Sequence, residues 1–206
     1  MGISGPAEQR RRDRESRGLS IAQQARLLAE SEGWDGLTVR RLATEIGYSQ
    51  PVIYSHFPGG KTELMTVIAQ QGFVELAEQL EAASHVTAAE AAPVEKPRRV
   101  SPDGQDVPVS LETLRAASQA YLGFAASNPA TYDAMFTLPI DSVFGEEKTP
   151  EPQRRAFNEV ARLTADESAA ELLWSTLHGL ATLERAGRLR ENAAAQRLDV
   201  LVSKFG

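Results

Sequence analysis

Between residues 19 and 32 the apolar side chains Ile21, Ala25 and Leu28 recur every three or four positions, and Gly33 follows as a stop. That spacing places them on one face of a helix. Residues 38–46 repeat the pattern with Val39, Leu42 and Ile46, behind Thr38 as N-cap and ahead of Gly47, which suits the left-handed position after a helix. Ser49 can cap a third, short helix over residues 50–57, where Pro51 falls in the tolerant first turn and Ile53 and Phe57 share a face. Pro58, Gly59 and Gly60 end it. A fourth helix is predicted from about Lys61 to Ser84 on Leu64, Ile68, Leu76 and Leu80. The pattern fails over residues 91–108, which hold four of the eleven prolines and little apolar material, and reads there as a flexible loop. Helices resume over 110–127 and 130–136, from about Gln153, from Asp166 to a stop at Gly187, and over 192–205. No alternating stretch predicts a strand, so the expected fold class is all-α.

Two short helices joined by Gly47-Tyr48-Ser49 form a helix-turn-helix pattern, which is a DNA-reading device. Periodicity turns Val39, Leu42, Ile46, Ile53 and Phe57 inward with Leu28 and Leu64, and leaves Gln50, Pro51, Tyr54 and Ser55 outward. Gln50 can bond bidentately to an adenine, Pro51 can touch a thymine methyl, and Arg40 can reach a guanine edge or a phosphate. Thr38 and Lys61 start helices, where N–H groups favour phosphate. Ser49, Tyr54, Ser55 and His56 complete the candidate DNA-contacting set. A catalytic reading of Ser49 or Ser55 with His56 fails because adjacent helical side chains such as Ser55 and His56 diverge and no acid or oxyanion hole is evident.

Charge sharpens this division. The net charge is −6, yet residues 1–61 hold nine Arg or Lys against seven Asp or Glu. The acidic excess lies in the rest of the chain. The run Arg10–Arg17 is either a solvated tail or a local DNA contact. There are no cysteines, which excludes disulfides, thiolate nucleophiles and cysteine zinc sites and fits a reducing cytoplasm. His56, His85 and His178 lack a metal-ligand spacing, so neither a metal nor a cofactor is expected. No apolar run reaches the length of a membrane span, and the Arg-rich start is no secretory signal.

The stretch GLTVRRLATEIGYSQPVIYSHFPGGKTELMTVI resembles the signature of the TetR-type (tetracycline-repressor-like) transcriptional regulators over roughly residues 19–68. Thr38, Ala43, Gly47, Tyr54, Phe57, Lys61 and Leu64 stand where that motif has these residue types, and Gln50, Pro51 and His56 are similar to the tetracycline repressors themselves. Two departures are visible: one extra residue before Lys61, and Ala29 where a larger aromatic is usual, with Trp34 nearby in sequence. Residues 121–136 and 174–187 resemble a C-terminal subtype named for its Trp, His and Gly, here Trp174, His178 and Gly179. The resemblance implies a flexible Arg-rich arm (1–17), a three-helix DNA-binding domain (18–65) and a larger helical ligand-sensing and dimerisation domain (66–206).

Within that second domain Tyr121, Phe124, Tyr132, Met135 and Phe136 read equally as ordinary core or as the wall of an apolar ligand pocket that Phe73 and Trp174 could close, while His178, on a mostly apolar helix, reads as a satisfied core histidine ahead of a ligand contact. Leu172, Leu177, Leu180, Leu198, Leu201 and Phe205 offer more apolar surface than two terminal helices need, which points to a four-helix homodimer interface or else to a monomeric core. The expected protein is a homodimeric regulator that binds double-stranded palindromic operator DNA and is released by a small-molecule effector, with no enzyme activity and no membrane partner. A repressor is preferred over an activator of the same fold. The competing class is a helical enzyme or carrier that ignores DNA.

Overall fold

The computed structural model describes residues 5–90, 110–138 and 148–206, with the backbone alone for residues 86–90. Among the described residues the regular elements are helices: α1 (Pro6–Gly36), α2 (Val39–Glu45), α3 (Gln50–His56), α4 (Gly60–Glu90), α5 (Leu111–Ser127), α6 (Pro129–Phe136), α7 (Glu151–Ala161), α8 (Glu167–Arg185) and α9 (Ala194–Phe205). The 91–108 stretch expected to be a flexible loop lies outside the described residues.

The chain divides into two compact units, one joining Met1–Gly72 to Asn128–Ser142 and the other joining Phe73–Ser127 to Val143–Gly206. In the first, α1 packs on α2, α3 and α6. Its core is Ile21, Ala25, Leu28, Leu42, Ile53, Phe57 and Leu64, all buried. The pattern at the α1 start differs from expectation. Residues from Pro6 onward are helical rather than an arm, although every side chain from Pro6 to Arg17 is exposed. Extending a helix already nucleated on a core costs little, and i,i+4 pairs support it. Arg12 bonds Glu8 at 2.5 Å, and Gln9 bonds Asp13 at 2.8 Å. At the other end Gly33 departs from helical geometry (φ 75, ψ 167), where the sequence predicts a stop.

Helix α6 follows α5 in the chain, yet it clusters with the helix-turn-helix unit. Polar side chains of α1 hold it there. The Glu30 carboxylate accepts from the backbone N–H groups of Ala130 and Thr131, each at 2.9 Å, and from the Thr131 hydroxyl at 2.7 Å. Asn128, at the N-cap of α6, makes no side-chain capping bond, so Glu30 performs that task from another helix. Arg26 donates to Asn128 Oδ1 at 2.9 Å, and the Trp34 indole N–H donates to the Ala130 carbonyl at 2.7 Å.

In the second unit α5 packs on α8 and α9, and α7 packs on α8. Phe73, Leu80, Leu114, Tyr121, Phe124, Leu173 and Leu177 fill its core. Asp166 caps α8 by accepting from Ala169 N–H at 2.9 Å, and Arg155 pairs with Glu81 at 3.1 Å.

Replacing Glu30 by Ala is expected to lower unfolding stability by about 2 kcal/mol, because a charged cap and its partners are lost together. Glu30→Gln, which keeps one acceptor, should lose less. Urea unfolding of both variants measures this, and equal stability of Glu30→Ala and the parent would refute the capping role.

Candidate nucleic-acid interface

Thr38 starts α2 by accepting from Arg41 N–H at 3.0 Å. After α2 the chain turns at Gly47, whose φ of 68 is left-handed, and Tyr48 N–H donates back to the Ala43 carbonyl at 2.9 Å. That six-to-one bond closes the helix and redirects the chain into α3. Ile53 and Phe57 are then buried, while Gln50, Pro51, Tyr54 and Ser55 are exposed and His56 is half-buried. The outward face expected from periodicity is therefore present. Ser49 holds the N-cap position with extended backbone, but its hydroxyl makes no capping bond, unlike the role the sequence suggests.

The neighbouring cations divide by what they touch. Arg41 bridges Glu32 at 2.7 Å and Glu45 at 2.5 Å, and these hydrogen bonds, Glu32 first, raise its pKa further. It ties α1 to α2. Arg40 is exposed and enters no ion pair among the described residues. Lys61 donates to the Trp34 carbonyl at the end of α1, so its ammonium is engaged by the protein's own backbone. The second glycine of the Pro-Gly-Gly-Lys stretch is required by its surroundings. Gly60 is buried with φ 61, and a Cβ there would lie 3.3 Å from the Tyr54 ring. Glycine thus lets Tyr54 lie against the start of α4, where Glu63 accepts from Gly59 N–H at 2.8 Å.

At the far end of α3, Arg14 donates to the Ser55 carbonyl at 2.5 Å. The Ser55 hydroxyl donates to Val52 O at 2.8 Å. Desolvation, and then the charges of Arg14 and Arg17, hold the His56 pKa below its ordinary 6.5. A groove of about 640 Å³ runs beside this point, with Arg11, Arg14, Leu19, His56, Phe57 and Val67 among its walls.

Residues 21–68 match the family described as "Bacterial regulatory proteins, tetR family", and residues 114–205 match "Tetracyclin repressor-like, C-terminal domain". The chain belongs to the tetR family of bacterial regulatory proteins. It is a DNA-binding transcriptional regulator. Solved structures share its fold. A Rhodococcus protein of unknown function aligns with a TM-score of 0.65 at 21% identity, covering 91% of this chain and 94% of that one. The TetR family transcriptional regulator PfmR of Thermus thermophilus aligns at 0.53 and 20% identity, covering 89% and 97%. A TetR/AcrR family regulator of Thermobifida fusca aligns at 0.53 and 18%, covering 91% and 95%. No curated protein matches the chain.

The remaining predicted residues of this TetR-type regulator fall in different places. Phe73, Tyr121, Phe124, Trp174 and His178 belong to the second unit, whereas Tyr132, Met135 and Phe136 lie on α6 in the first. Trp174 meets the Tyr121 ring edge-on at 5.6 Å and Phe157 at 5.8 Å. Phe157 was invisible to the sequence reading, although it sits on a strongly two-faced helix. His178 is half-buried, and desolvation followed by the Arg185 charge lowers its pKa. Of the residues expected at a dimer interface, Leu177, Leu198 and Leu201 are buried within the single chain, Leu180 and Phe205 are half-buried, and Leu172 is 63% exposed. Leu183 and Val200 are also exposed, and spacing alone could have found Leu183, which shares one stripe of α8 with Leu172, Thr176 and Gly179.

His56 is expected to titrate below 6.5 in an NMR pH series. Because its folded pKa is depressed, its contribution to stability is complete above 6.5 and declines as pH falls from there through the folded value. A midpoint at or above 6.5 would show that burial and the two arginines do not govern this imidazole.

Proposed function

We propose that this regulator is a homodimeric repressor that binds a two-fold symmetric operator and releases it when a small molecule occupies the C-terminal unit. The observation that carries the reading is the α3 surface: Gln50, Pro51, Tyr54 and Ser55 stand exposed on a helix whose other face is buried through Ile53 and Phe57. In this reading Gln50, Pro51 and Arg40 meet base edges, and Thr38, Ser49, Tyr54, Ser55 and His56 meet the backbone. Lys61 donates one N–H to Trp34 O and keeps two for a phosphate.

Exposed Leu172 and Leu183 on one side of α8, with exposed Val200 on α9, support pairing with a second copy that would take these apolar side chains out of water. Pairing would set two α3 helices in successive major grooves, about 34–36 Å apart. Tyr121, Phe157 and Trp174, with half-buried His178, supply aromatic surface and one polar group suited to an apolar effector. An effector that prefers the non-binding arrangement weakens operator affinity by a coupling of about 1–3 kcal/mol. Among the described residues no helix is long and apolar enough to cross a membrane, which accords with action on DNA in the cytoplasm.

Selection of bound duplexes from a random library is expected to enrich a two-fold symmetric site. Gln50→Ala should then relax preference at one position per half-site by about 1–3 kcal/mol, without changing the rest. Leu172→Glu with Leu183→Glu should yield monomers in sedimentation and lose the symmetric site. Absence of any enriched sequence across a range of salt would sink the proposal.

A further inference from the structure

The helical extension at the start of α1 is absorbed by none of the roles above. From Ile21 to Leu28 the inner face of α1 is apolar and buried. Stepping back along that stripe by three and four residues reaches Arg17, Arg14 and Arg10. The face that packs on the helix-turn-helix thus becomes a row of arginines as soon as α1 overshoots the core. At 1.5 Å per residue the row spans about 10 Å. It is not afloat: Arg14 donates to Ser55 O, at the end of α3. Arg14 and Arg17 also lie near enough to His56 for their charges, after desolvation, to lower its pKa.

The other arginines of the segment are spent differently. Arg12 pairs with Glu8 at 2.5 Å, and Arg11 lies 3.9 Å from Glu15. No acidic side chain pairs with Arg10, Arg14 or Arg17 among the described residues. Among the described residues Arg10 donates to the Pro6 carbonyl and Arg14 to the Ser55 carbonyl, and these neutral acceptors leave each guanidinium's charge uncompensated.

We propose that Arg10 and Arg17 form a phosphate-binding ladder that extends the DNA interface beyond α3 onto the duplex backbone flanking each half-site. The proposal rests on α3 being the DNA-reading helix. A helix fixed to the end of α3 lies close to the groove wall that α3 enters, and duplex DNA presents one charge per about 1.7 Å of axis. The ladder carries no base-reading geometry, so it adds affinity and register without sequence preference.

The test compares two double variants of the full chain that change net charge equally. Arg10→Gln with Arg17→Gln removes the ladder; Arg11→Gln with Arg12→Gln removes the acid-paired arginines. Arg14 is left in place because it holds Ser55. Binding to the selected duplex is measured over a salt series, with hydroxyl-radical footprinting. Loss of the ladder should weaken binding about tenfold or more, reduce the slope of log affinity against log salt by about 0.9 per lost phosphate contact, and shorten the footprint at both flanks. Base preference should not move. Arg10→Lys with Arg17→Lys should keep the slope, since a phosphate accepts a point charge. Equal losses in both Gln doubles, or no loss in the ladder double while the parent binds tightly, would overturn the proposal. Failure of the parent chain itself to bind any duplex would instead overturn the reading of α3, and the ladder with it.

Discussion

The Glu30 carboxylate fastens α6 to the helix-turn-helix unit. Glu30 reaches from α1 to the first turn of α6 and accepts from Ala130 N–H, Thr131 N–H and the Thr131 hydroxyl. A helix start leaves N–H groups without partners, and burying them unpaired is costly. Glu30 removes that cost, so an eight-residue helix too short to stand alone becomes a fixed part of the DNA-reading unit. The Trp34 indole bonds Ala130 O one turn further on, and the Trp34 carbonyl receives the Lys61 ammonium at the start of α4. Helices α6, α1 and α4 are joined through these few polar contacts rather than by apolar packing alone.

The same economy of roles runs through the arginines. Arg26 and Arg41 fasten α1 to α6 and to α2, and Arg14 fastens the α1 extension to α3. Arg40 and Arg17 are exposed beside them and pair with no acid among the described residues. A guanidinium can serve as a bidentate fastener or as a ligand for phosphate or guanine. Which of these it does depends on whether a carboxylate or carbonyl of the fold lies within reach. Sequence neighbours such as Arg40 and Arg41 therefore have unlike functions.

Much of this was legible in the chain. The faces of α2 and α3 followed from Val39, Leu42, Ile53 and Phe57, because a 3.6-residue period maps directly onto burial. Gly47 and Gly187 both take positive φ after a helix, as their positions suggested. The α1 extension was less legible, since an exposed Arg-rich run reads alike as solvated tail or DNA contact, and its helix shows only where α3 gives Arg14 a carbonyl to hold. The apolar residues of α8 and α9 were visible as apolar, but not as buried or exposed: Leu177 and Leu172 differ only in which neighbour each helix face meets.

The sequence by itself determined the all-helical class, the helix-turn-helix and its outward residues, since these depend on local periodicity and on capping and turn residues within a few positions of one another. Only the tertiary structure decided that α6 belongs with the DNA-reading unit, that Lys61 is held by Trp34, and that Tyr132 and Tyr121 lie in different units. Those facts rest on contacts between residues tens of positions apart, such as Glu30 with Thr131. A hydrogen bond at that separation leaves no periodic trace in the chain, because its two partners are selected by geometry and not by spacing.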